Sequence, residues 1–596
     1  MKRLIALLLT ATLIFCMTAC KKREPNKPDQ DNPSGTESSS SSTEESTGST
    51  ETSGEQGQTG SESTENTENT ESTDASGGED TPPPSGNGGA STPSQPSTPS
   101  QPDDPDEPAN PSQPDDDGPY ACESADDFLE NMGAGWNLGC SLSVYYAEST
   151  AWRALVFFTT TGGVYNRSAT AYFDGSTNTA TISWKPGKDD GILQASGSAI
   201  ISHIGIEIWN FSLNEKDTLT YRIDELKYIT ANGEVSLNDV TGVKTTDMSG
   251  GTGGGRLKTF SDSIAVSDIL EVRAKITFIE HTSGLSPEER IEHYEKLWGN
   301  PVTTPEMIAA VRDKGFNTIR AQVSFVNHMD SQGNIDPYWL ERVAEVVDYC
   351  MDAGVYCIIN TSGAGWLTAE RSTFEKQSAI YRRLWEQIAA RFADYSELLL
   401  FESCNEVLNA NKSWTAPAAE SYAVMNDLHQ IFVDTVRAGG GYNANRNLIL
   451  NPYAATYSYE MNRNFKLPND SAKNHLIAQV HLYAPGTFTF NETNLGHTNF
   501  RNEWGTDADK QQLDSLLQGI KTRFIDELGI PVIIGEFGVV KRPPESERIE
   551  YIDFYVKTAK KYGIGLVVFD DGGDFAIFDR DTLTWPYESL VDALLQ

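Results

Sequence analysis

Two glutamates stand at the ends of apolar runs that could bring their carboxylates into one active site. Glu406 closes the run 398–406 (LLLFESCNE), and Glu536 lies in the run 531–538 (PVIIGEFG). Paired carboxylates can cleave a glycosidic bond, because one protonates the leaving oxygen while the other attacks the anomeric carbon. The proton donor needs a raised pKa and the nucleophile must stay ionised, so we expect the two side chains to lie in different surroundings.

The elements that must position these carboxylates are short apolar runs that alternate with amphipathic helical stretches from about residue 300 onward. Such alternation is typical of parallel β/α units. An upstream run (GAGWNLG) supplies an eighth strand, so the eight expected strands are 133–139, 318–324, 355–361, 398–406, 447–453, 475–483, 531–538 and 563–571. The pattern predicts an α/β fold, a (β/α)8 TIM barrel that gathers its strand ends at one face. The helices expected between the strands are 305–314, 338–353, 374–392, 419–437, 507–528 and 547–562.

Residues 141–293 interrupt the barrel pattern after its first strand, so the barrel is assigned to 121–140 and 294–596. Short segments of alternating apolar and polar residues, separated by Gly, Asn and Asp turns, predict an inserted antiparallel β-sandwich. A loop that leaves strand 1 emerges on the catalytic face of a barrel. The insertion could therefore bind carbohydrate beside the cleft or only buttress the barrel, and the candidate stacking residues are Trp152, Trp184 and Trp209.

The N-terminal fifth of the chain has the composition of an export signal and a tether. Residues 1–20 combine a basic start, a short apolar run and small residues before Cys20, which resembles a bacterial lipoprotein signal peptide with Cys20 as the lipidated residue. Residues 21–120 are rich in Ser, Thr, Glu, Gly and Pro, and we expect them to form a disordered linker. These features predict an exported protein held at the cell surface by membrane lipid.

Of the formal charge of −39, −18 lies in that linker, which holds 22 acidic and 4 basic residues. The remaining chain is moderately acidic and has no cluster of Lys and Arg, which argues against a nucleic-acid partner. The cysteines show no metal-ligand spacing. We expect a monomer that needs neither a metal nor a cofactor, and the acidic surface is compatible with a neutral polysaccharide partner.

Linked motifs along the barrel resemble glycoside hydrolase family 5, the cellulase-type hydrolases. They occur in the order of that family's strands and include 135–139 (GWNLG), 298–301 (WGNP), 405–406 (NE) and 481–483 (HLY). The resemblance implies that Glu406 is the acid/base and Glu536 the nucleophile of a retaining reaction. It also implies that Arg320 holds the nucleophile, that Asn405 donates to the sugar 2-hydroxyl, and that two residues of strand 6 line the site, His481 and Tyr483.

The activity that this resemblance implies is retaining, endo-acting hydrolysis of a β-1,4-linked glucan-type plant polysaccharide. Cellulose, mixed-linkage glucan and xyloglucan are the expected substrates, with mannan and xylan left open. Linkage preference depends on loop shapes and on the placement of aromatic side chains.

Two departures from the family pattern keep an alternative open. Strand 3 continues into 360–366 (NTSGAGW) where the family commonly has a His-His pair, and Phe569 stands where a Trp is common. Trp366 and Phe569 are therefore added as candidate substrate-binding residues. The alternative is a non-catalytic glycan-binding lipoprotein that uses a degenerate barrel. Retention of both glutamates together with Arg320 and Tyr483 favours the enzyme.

Overall fold

The computed structural model of the protein describes residues 120–145, 152–174, 176–210, 214, 216–248, 253–362, 366–415, 417–491 and 500–596. The predicted signal peptide with Cys20, and the predicted linker up to residue 119, lie outside these residues. Within the described part, no helix combines the length and the apolar character needed to cross a bilayer.

Strands fill the first part of the described chain, and strands alternate with helices in the second. In chain order the strands are β1 (Ala134–Leu138), β2 (Arg153–Thr160), β3 (Tyr165–Ser168), β4 (Ala171–Tyr172), β5 (Thr179–Trp184), β6 (Gly191–Ile192), β7 (Ile201–Trp209), β8 (Thr218–Thr230), β9 (Gly233–Ser236), β10 (Gly242–Asp247), β11 (Gly253–Thr259), β12 (Glu271–Thr282), β13 (Phe316–Ala321), β14 (Tyr356–Asn360), β15 (Leu399–Glu402), β16 (Leu448–Leu450), β17 (Leu476–His481), β18 (Val532–Phe537) and β19 (Gly565–Val568). The α-helices are α1 (Ala125–Asn131), α2 (Pro287–Glu295), α3 (Pro305–Lys314), α4 (Pro337–Ala353), α5 (Arg371–Arg391), α6 (Ala419–Ala438), α7 (Tyr459–Asn462), α8 (Gly486–Thr489), α9 (Asp507–Lys521), α10 (Glu545–Lys561) and α11 (Glu588–Leu594).

The strands β1 and β13 to β19 close into a barrel in which each strand is parallel to its neighbours. Every residue of β17 and β18 is buried. Strands covered on both faces need near-continuous apolar runs, which explains why these strands do not alternate in sequence. The predicted (β/α)8 barrel is confirmed.

Strand pairing ends before several of the apolar runs do. β15 ends at Glu402 and β17 ends at His481, so Glu406 and Tyr483 lie in the loops that follow those strands. Side chains on these loops are held by hydrogen bonds to the barrel mouth rather than by strand pairing.

The residues between β1 and β13 form two antiparallel sheets. One sheet has the order β10-β8-β12-β5 with β9 paired to β8, and the other has the order β11-β7-β2-β3-β6 with β4 paired to β2. Inward-facing residues of both sheets, among them Ile182 and Ile206, belong to one hydrophobic cluster. Trp184 is 1% exposed and stacks on Phe158 at 5.1 Å within this core, so its ring is not accessible to a sugar.

Helix α2 returns the chain from the insertion to the barrel. Ser286 caps it, because its hydroxyl accepts the backbone N–H of Glu289 while the Glu289 carboxylate accepts the backbone N–H of Ser286. Ile291 belongs to the hydrophobic core of the barrel. The buried Glu295 accepts a hydrogen bond from Nε of Arg342 on α4 at 3.0 Å. Helix α2 is therefore packed as part of the barrel.

Candidate active site

The two glutamates named from the sequence lie together at the C-terminal mouth of the barrel. One carboxylate oxygen of Glu406, one of Glu536 and a ring nitrogen of His481 lie within 4.8 Å of one another. The side chain of Glu406 is 24% exposed and that of Glu536 is 7% exposed. The pair therefore has one member that faces the opening and one that lies below it.

Arg320 organises the floor of the site from the end of β13. Its side chain is fully buried, and Nη1 donates to Oε1 of Glu536 at 2.9 Å and to Oδ1 of Asn137 at 2.9 Å. Nη2 donates to Oδ1 of Asn405 at 2.8 Å. A guanidinium has only donors, so the Asn405 atom that faces it is the amide oxygen. The Asn405 NH₂ group therefore points away from Arg320, in keeping with the predicted donation to a sugar hydroxyl.

Glu402 is a third carboxylate at this floor that the sequence interpretation missed. It accepts two hydrogen bonds from Arg320, from Nε at 2.6 Å and from Nη2 at 2.7 Å. The side-chain amides of Asn360 and Asn451 also donate to it, at 3.1 Å and 2.9 Å. Burial alone would raise the pKa of Glu402, but the charge and hydrogen bonds of Arg320 outweigh burial and lower it. Glu402 is thus an ionised partner that fixes Arg320.

The nucleophile candidate Glu536 has different partners on its two oxygens. Oε1 accepts from Arg320 and also from Nε2 of Gln322 at 2.5 Å, whereas Oε2 accepts the hydroxyl of Tyr483 at 2.9 Å. Burial raises the pKa of Glu536, while positive charge at Arg320 and the Tyr483 hydrogen bond act in the opposite direction. With two donors on Oε1, Oε2 is the oxygen better placed to attack a substrate.

Gln322 was also missed, although the sequence carried a signal for it. Arg320 and Gln322 are two residues apart, and side chains at that spacing point to the same side of an extended chain.

Asn360 lies at the end of β14, where the family pattern has histidine. It connects two segments of the barrel mouth, because its Oδ1 accepts the backbone N–H of Val323 at 3.1 Å.

The acid/base candidate Glu406 contacts His481. Nδ1 of His481 lies 2.7 Å from Oε1 of Glu406. This distance is that of a hydrogen bond, in which either the imidazole or the carboxylic acid is the donor. Burial lowers the pKa of His481 to about 4, so the imidazole is neutral near pH 7. Burial also raises the pKa of Glu406 to about 7, which lets it keep a proton in that range. The two glutamates therefore lie in different surroundings, as acid and nucleophile require.

The two candidate aromatic residues occupy different places. Phe569 follows β19, and its ring meets Tyr483 edge-on at 6.2 Å. Its neighbour Asp570 fixes this loop by a buried ion pair with Arg580 at 2.9 Å. Trp366 lies after β14 and packs against Tyr381 of α5 at 6.3 Å. The substrate-binding role of Trp366 stays a prediction.

The cluster of Glu406, His481 and Glu536 could supply three ligand atoms to a metal ion. The positive charge of Arg320, 2.9 Å from Glu536, disfavours a cation there. The expectation that the protein needs no metal or cofactor stays a prediction.

The chain is similar to a family model and to several known proteins. Residues 280–574 match the family model described as cellulase (glycosyl hydrolase family 5). The chain is 35% identical over 315 residues to Endoglucanase A of Ruminococcus albus, and the match covers 51% of this chain and 84% of that protein. The chain belongs to glycosyl hydrolase family 5. The resemblance read from the barrel motifs is confirmed.

Other proteins are similar to about half of the chain. Endoglucanase A of Clostridium longisporum is 35% identical over 337 residues, and the match covers 54% of this chain and 62% of that protein. The chain thus spans less than two thirds of the length of this relative. A solved broad-specificity endoglucanase (GH5-4) from Ruminococcus champanellensis with bound cellotriose is 36% identical, with a TM-score of 0.49, and covers 52% of this chain and 90% of that one.

Proposed function

We propose that this family 5 protein is a retaining, endo-acting β-glucanase, with Glu406 as acid/base and Glu536 as nucleophile. The observation that carries the proposal is the pair itself. Its carboxylate oxygens approach within 4.8 Å, and its members differ in exposure and partners. Retaining glycosidases hold their two carboxyl groups about 5 to 5.5 Å apart, whereas inverting enzymes leave a wider gap of about 6.5 to 9.5 Å for a water molecule.

In the proposed first step, Glu406 gives its proton to the glycosidic oxygen while Oε2 of Glu536 attacks the anomeric carbon. The bond from that carbon to the leaving oxygen breaks, and a covalent glycosyl-enzyme forms. In the second step, ionised Glu406 takes a proton from water, which attacks the same carbon and releases Glu536. Two inversions give net retention of configuration.

The proposed substrates are β-1,4-linked glucan-type plant polysaccharides: cellulose, mixed-linkage glucan or xyloglucan. Support comes from the relatives named endoglucanases in Ruminococcus albus and Clostridium longisporum, each of which is 35% identical to this chain. An internal cleavage mode is carried over from the same names.

The test is an assay of new reducing ends with soluble β-glucan, xyloglucan, mannan and xylan, run beside viscometry. We expect reducing ends from at least one glucan-type polymer, with viscosity falling early because internal bonds are cut. Proton NMR of the first product should show the β-anomer. Binding to these polymers with no new reducing ends would favour the alternative of a non-catalytic glycan-binding lipoprotein.

We propose further that the protein is exported and held at the cell surface by lipid on Cys20, as a monomer that works at the end of the 21–120 linker. The N-terminal residues quoted above support this location. Cys20→Ser should move the protein from the membrane fraction to the soluble fraction without changing hydrolysis. Membrane retention of that variant would contradict the lipid anchor.

A further inference from the structure

A cavity of about 380 Å³ lies where the inserted sheets meet helix α2. None of its lining residues belongs to the catalytic site described above. Its volume falls in the range of roughly 300 to 1,000 Å³ that is usual for small-ligand sites. The insertion lines most of the cavity, and Arg290, His293 and Tyr294 line it from α2.

One wall of the cavity is aromatic. The ring of Trp152 lies 4.5 Å from that of Phe278 and 5.4 Å from that of His281, and all three line the cavity. Tyr294 lines it from α2. Aromatic faces bind the apolar C–H faces of sugar rings, so this wall can stack on a pyranose.

The polar wall is organised by Asp217, which is 1% exposed. Its carboxylate accepts hydrogen bonds from Nε2 of His281 at 3.0 Å, from the Ser283 hydroxyl at 3.0 Å and from the Asn214 amide at 2.7 Å. Because these donors occupy its oxygens, Asp217 fixes the orientation of its neighbours and does not present an uncompensated negative charge to a ligand. Arg290 also lines the cavity, and its charge is paired with Asp336 at 2.9 Å. Oriented polar groups and paired charges beside an aromatic wall suit a neutral, polyhydroxylated ligand better than an ion.

The cavity lies on the same side of the barrel as the catalytic residues. Tyr294 contacts His328 with ring centroids 4.9 Å apart, and His328 lies in the loop after β13, the strand that carries Arg320. Loops after barrel strands lie on the catalytic face. A polymer bound at the active site therefore has this cavity on its own side of the molecule.

We propose that this cavity is a second, non-catalytic glycan site that takes a glycosyl unit of the same neutral β-glucan chain. The substrate class rests on the proposed function, whereas the existence of the site does not. Occupation of both sites by one chain raises affinity for long polymers, because the second contact becomes intramolecular. Short oligosaccharides that reach only the catalytic site gain nothing from it.

The test measures affinity for soluble β-glucan by affinity gel electrophoresis, in full chains that carry Glu536→Gln. We expect Trp152→Ala to weaken polymer binding about fivefold to tenfold through the loss of one stacking surface. Tyr172→Ala is the matched control, because Tyr172 is 55% exposed on the same insertion and does not line the cavity. It should bind as the parent does. Equal binding by Trp152→Ala and the parent, or an equal loss in the control, would overturn the proposal.

A second variant keeps the test decisive if loss of the Trp152 ring unfolds the insertion. Leu285→Trp fills the cavity and leaves the aromatic wall in place. It should show a similar loss of polymer affinity with an unchanged melting temperature, and unchanged affinity would refute the site. Hydrolysis of short cello-oligosaccharides by the same variants without Glu536→Gln should stay at the parental rate. Absence of hydrolysis in the parent would count against the proposed function alone.

Discussion

At the barrel mouth, Arg320 and its ion-pair partners Glu402 and Glu536 are 0% to 7% exposed, whereas each described Lys or Arg ion pair of the insertion has one side chain at least 43% exposed. In the pair of Lys258 and Asp239, for example, the side chains are 32% and 59% exposed. Taking an ion out of water costs several kcal/mol unless partners compensate. The barrel carries this cost where chemistry needs fixed charges. The insertion instead derives its stability from an apolar core between two sheets.

The largest effects should follow from changing the carboxylates of the pair. Glu406→Gln should lower kcat by about 10² to 10⁴-fold, the usual share of general acid–base catalysis, and Glu536→Gln should lower it at least as much. The amide keeps the shape but can neither deliver a proton nor attack. Added azide should restore turnover of an activated glycoside and give the β-glycosyl azide with Glu406→Gln but the α-product with Glu536→Gln. If the two variants gave the opposite anomers, Glu536 would be the acid/base and Glu406 the nucleophile.

The matched control is Glu234→Gln, a half-exposed glutamate of the insertion that pairs with Lys227. It should leave kcat unchanged. Burial raises the pKa of Glu406 and of Glu536, so their charges add no stability to the fold. All three variants should therefore melt near the parental temperature, which separates lost chemistry from lost folding.

Next in size is the effect of removing the buried partner of Arg320. Glu402→Gln leaves a buried guanidinium under-paired, and breaking such a pair costs about 3 to 5 kcal/mol of unfolding free energy. Because the pKa of Glu402 is lowered in the fold, its stabilisation is present above about pH 4.3 and is lost as the pH falls through the folded pKa. Denaturant melts of parent and variant should therefore differ at pH 7 and converge in acid.

The same chemical change in the insertion, Asp239→Asn, should leave the denaturation midpoint at its parental value. A comparable loss there would mean that ion pairs matter equally in both regions. That result would break the contrast between the barrel mouth and the insertion.

Gln322→Met should have an intermediate effect. It removes a donor from Oε1 of Glu536 and keeps a side chain of similar size, and loss of a hydrogen bond to an ionised group should lower kcat/KM about tenfold near neutral pH. The acid limb of the pH profile should move to higher pH, since the ionised nucleophile is less stabilised. A uniform loss at all pH values would mean that Gln322 only shapes the site. The control is Gln387→Met, which removes an amide that donates to the Gly333 carbonyl and holds a loop. It should leave the pH profile of kcat/KM unchanged.

The alkaline limb reports on Glu406. The acid must be protonated, its pKa is raised to about 7, and activity is therefore lost as the pH rises through that value. At pH 8 we expect kcat/KM about tenfold below its maximum. An unchanged rate up to pH 9 would show that Glu406 is not the proton donor.

The order of strands and helices could be predicted because each barrel strand is a separate apolar run and each helix between them is amphipathic. The residues that the resemblance assigned around Glu406 and Glu536 converge as expected, since strand ends of a barrel meet at one face. Gln322 could have been found from its two-residue spacing to Arg320, whereas Glu402 was missed for a physical reason. Barrel strands are buried on both sides, so their sequences do not alternate and do not reveal which side chains face the interior.

The contacts across the barrel could not be predicted from the sequence either. That Arg320 pairs with Glu402 depends on the stagger between β13 and β15, which periodicity does not encode. The insertion differs in this respect. In β5, exposure alternates residue by residue, and the same alternation is visible in the letters TATISW. A strand that is buried on one face alternates apolar and polar residues in sequence, whereas a strand that is buried on both faces does not.

The smallest expected effect on catalysis comes from the largest change, deletion of the insertion. Because Ile291 packs in the barrel core and Glu295 pairs with Arg342, the deletion should remove 146–285 and keep α2, with a linker of about ten Gly and Ser residues. Tyr145, which contacts Trp298 at 5.5 Å, then still meets the returning chain. Hydrolysis of short cello-oligosaccharides should stay within about twofold of the parent, because every catalytic contact lies in the barrel. Polymer affinity should fall with the loss of Trp152.

A deletion extended to residue 295 should melt at a lower temperature, since Arg342 loses its buried partner. Equal melting of the two deletions would show that α2 belongs to the insertion after all.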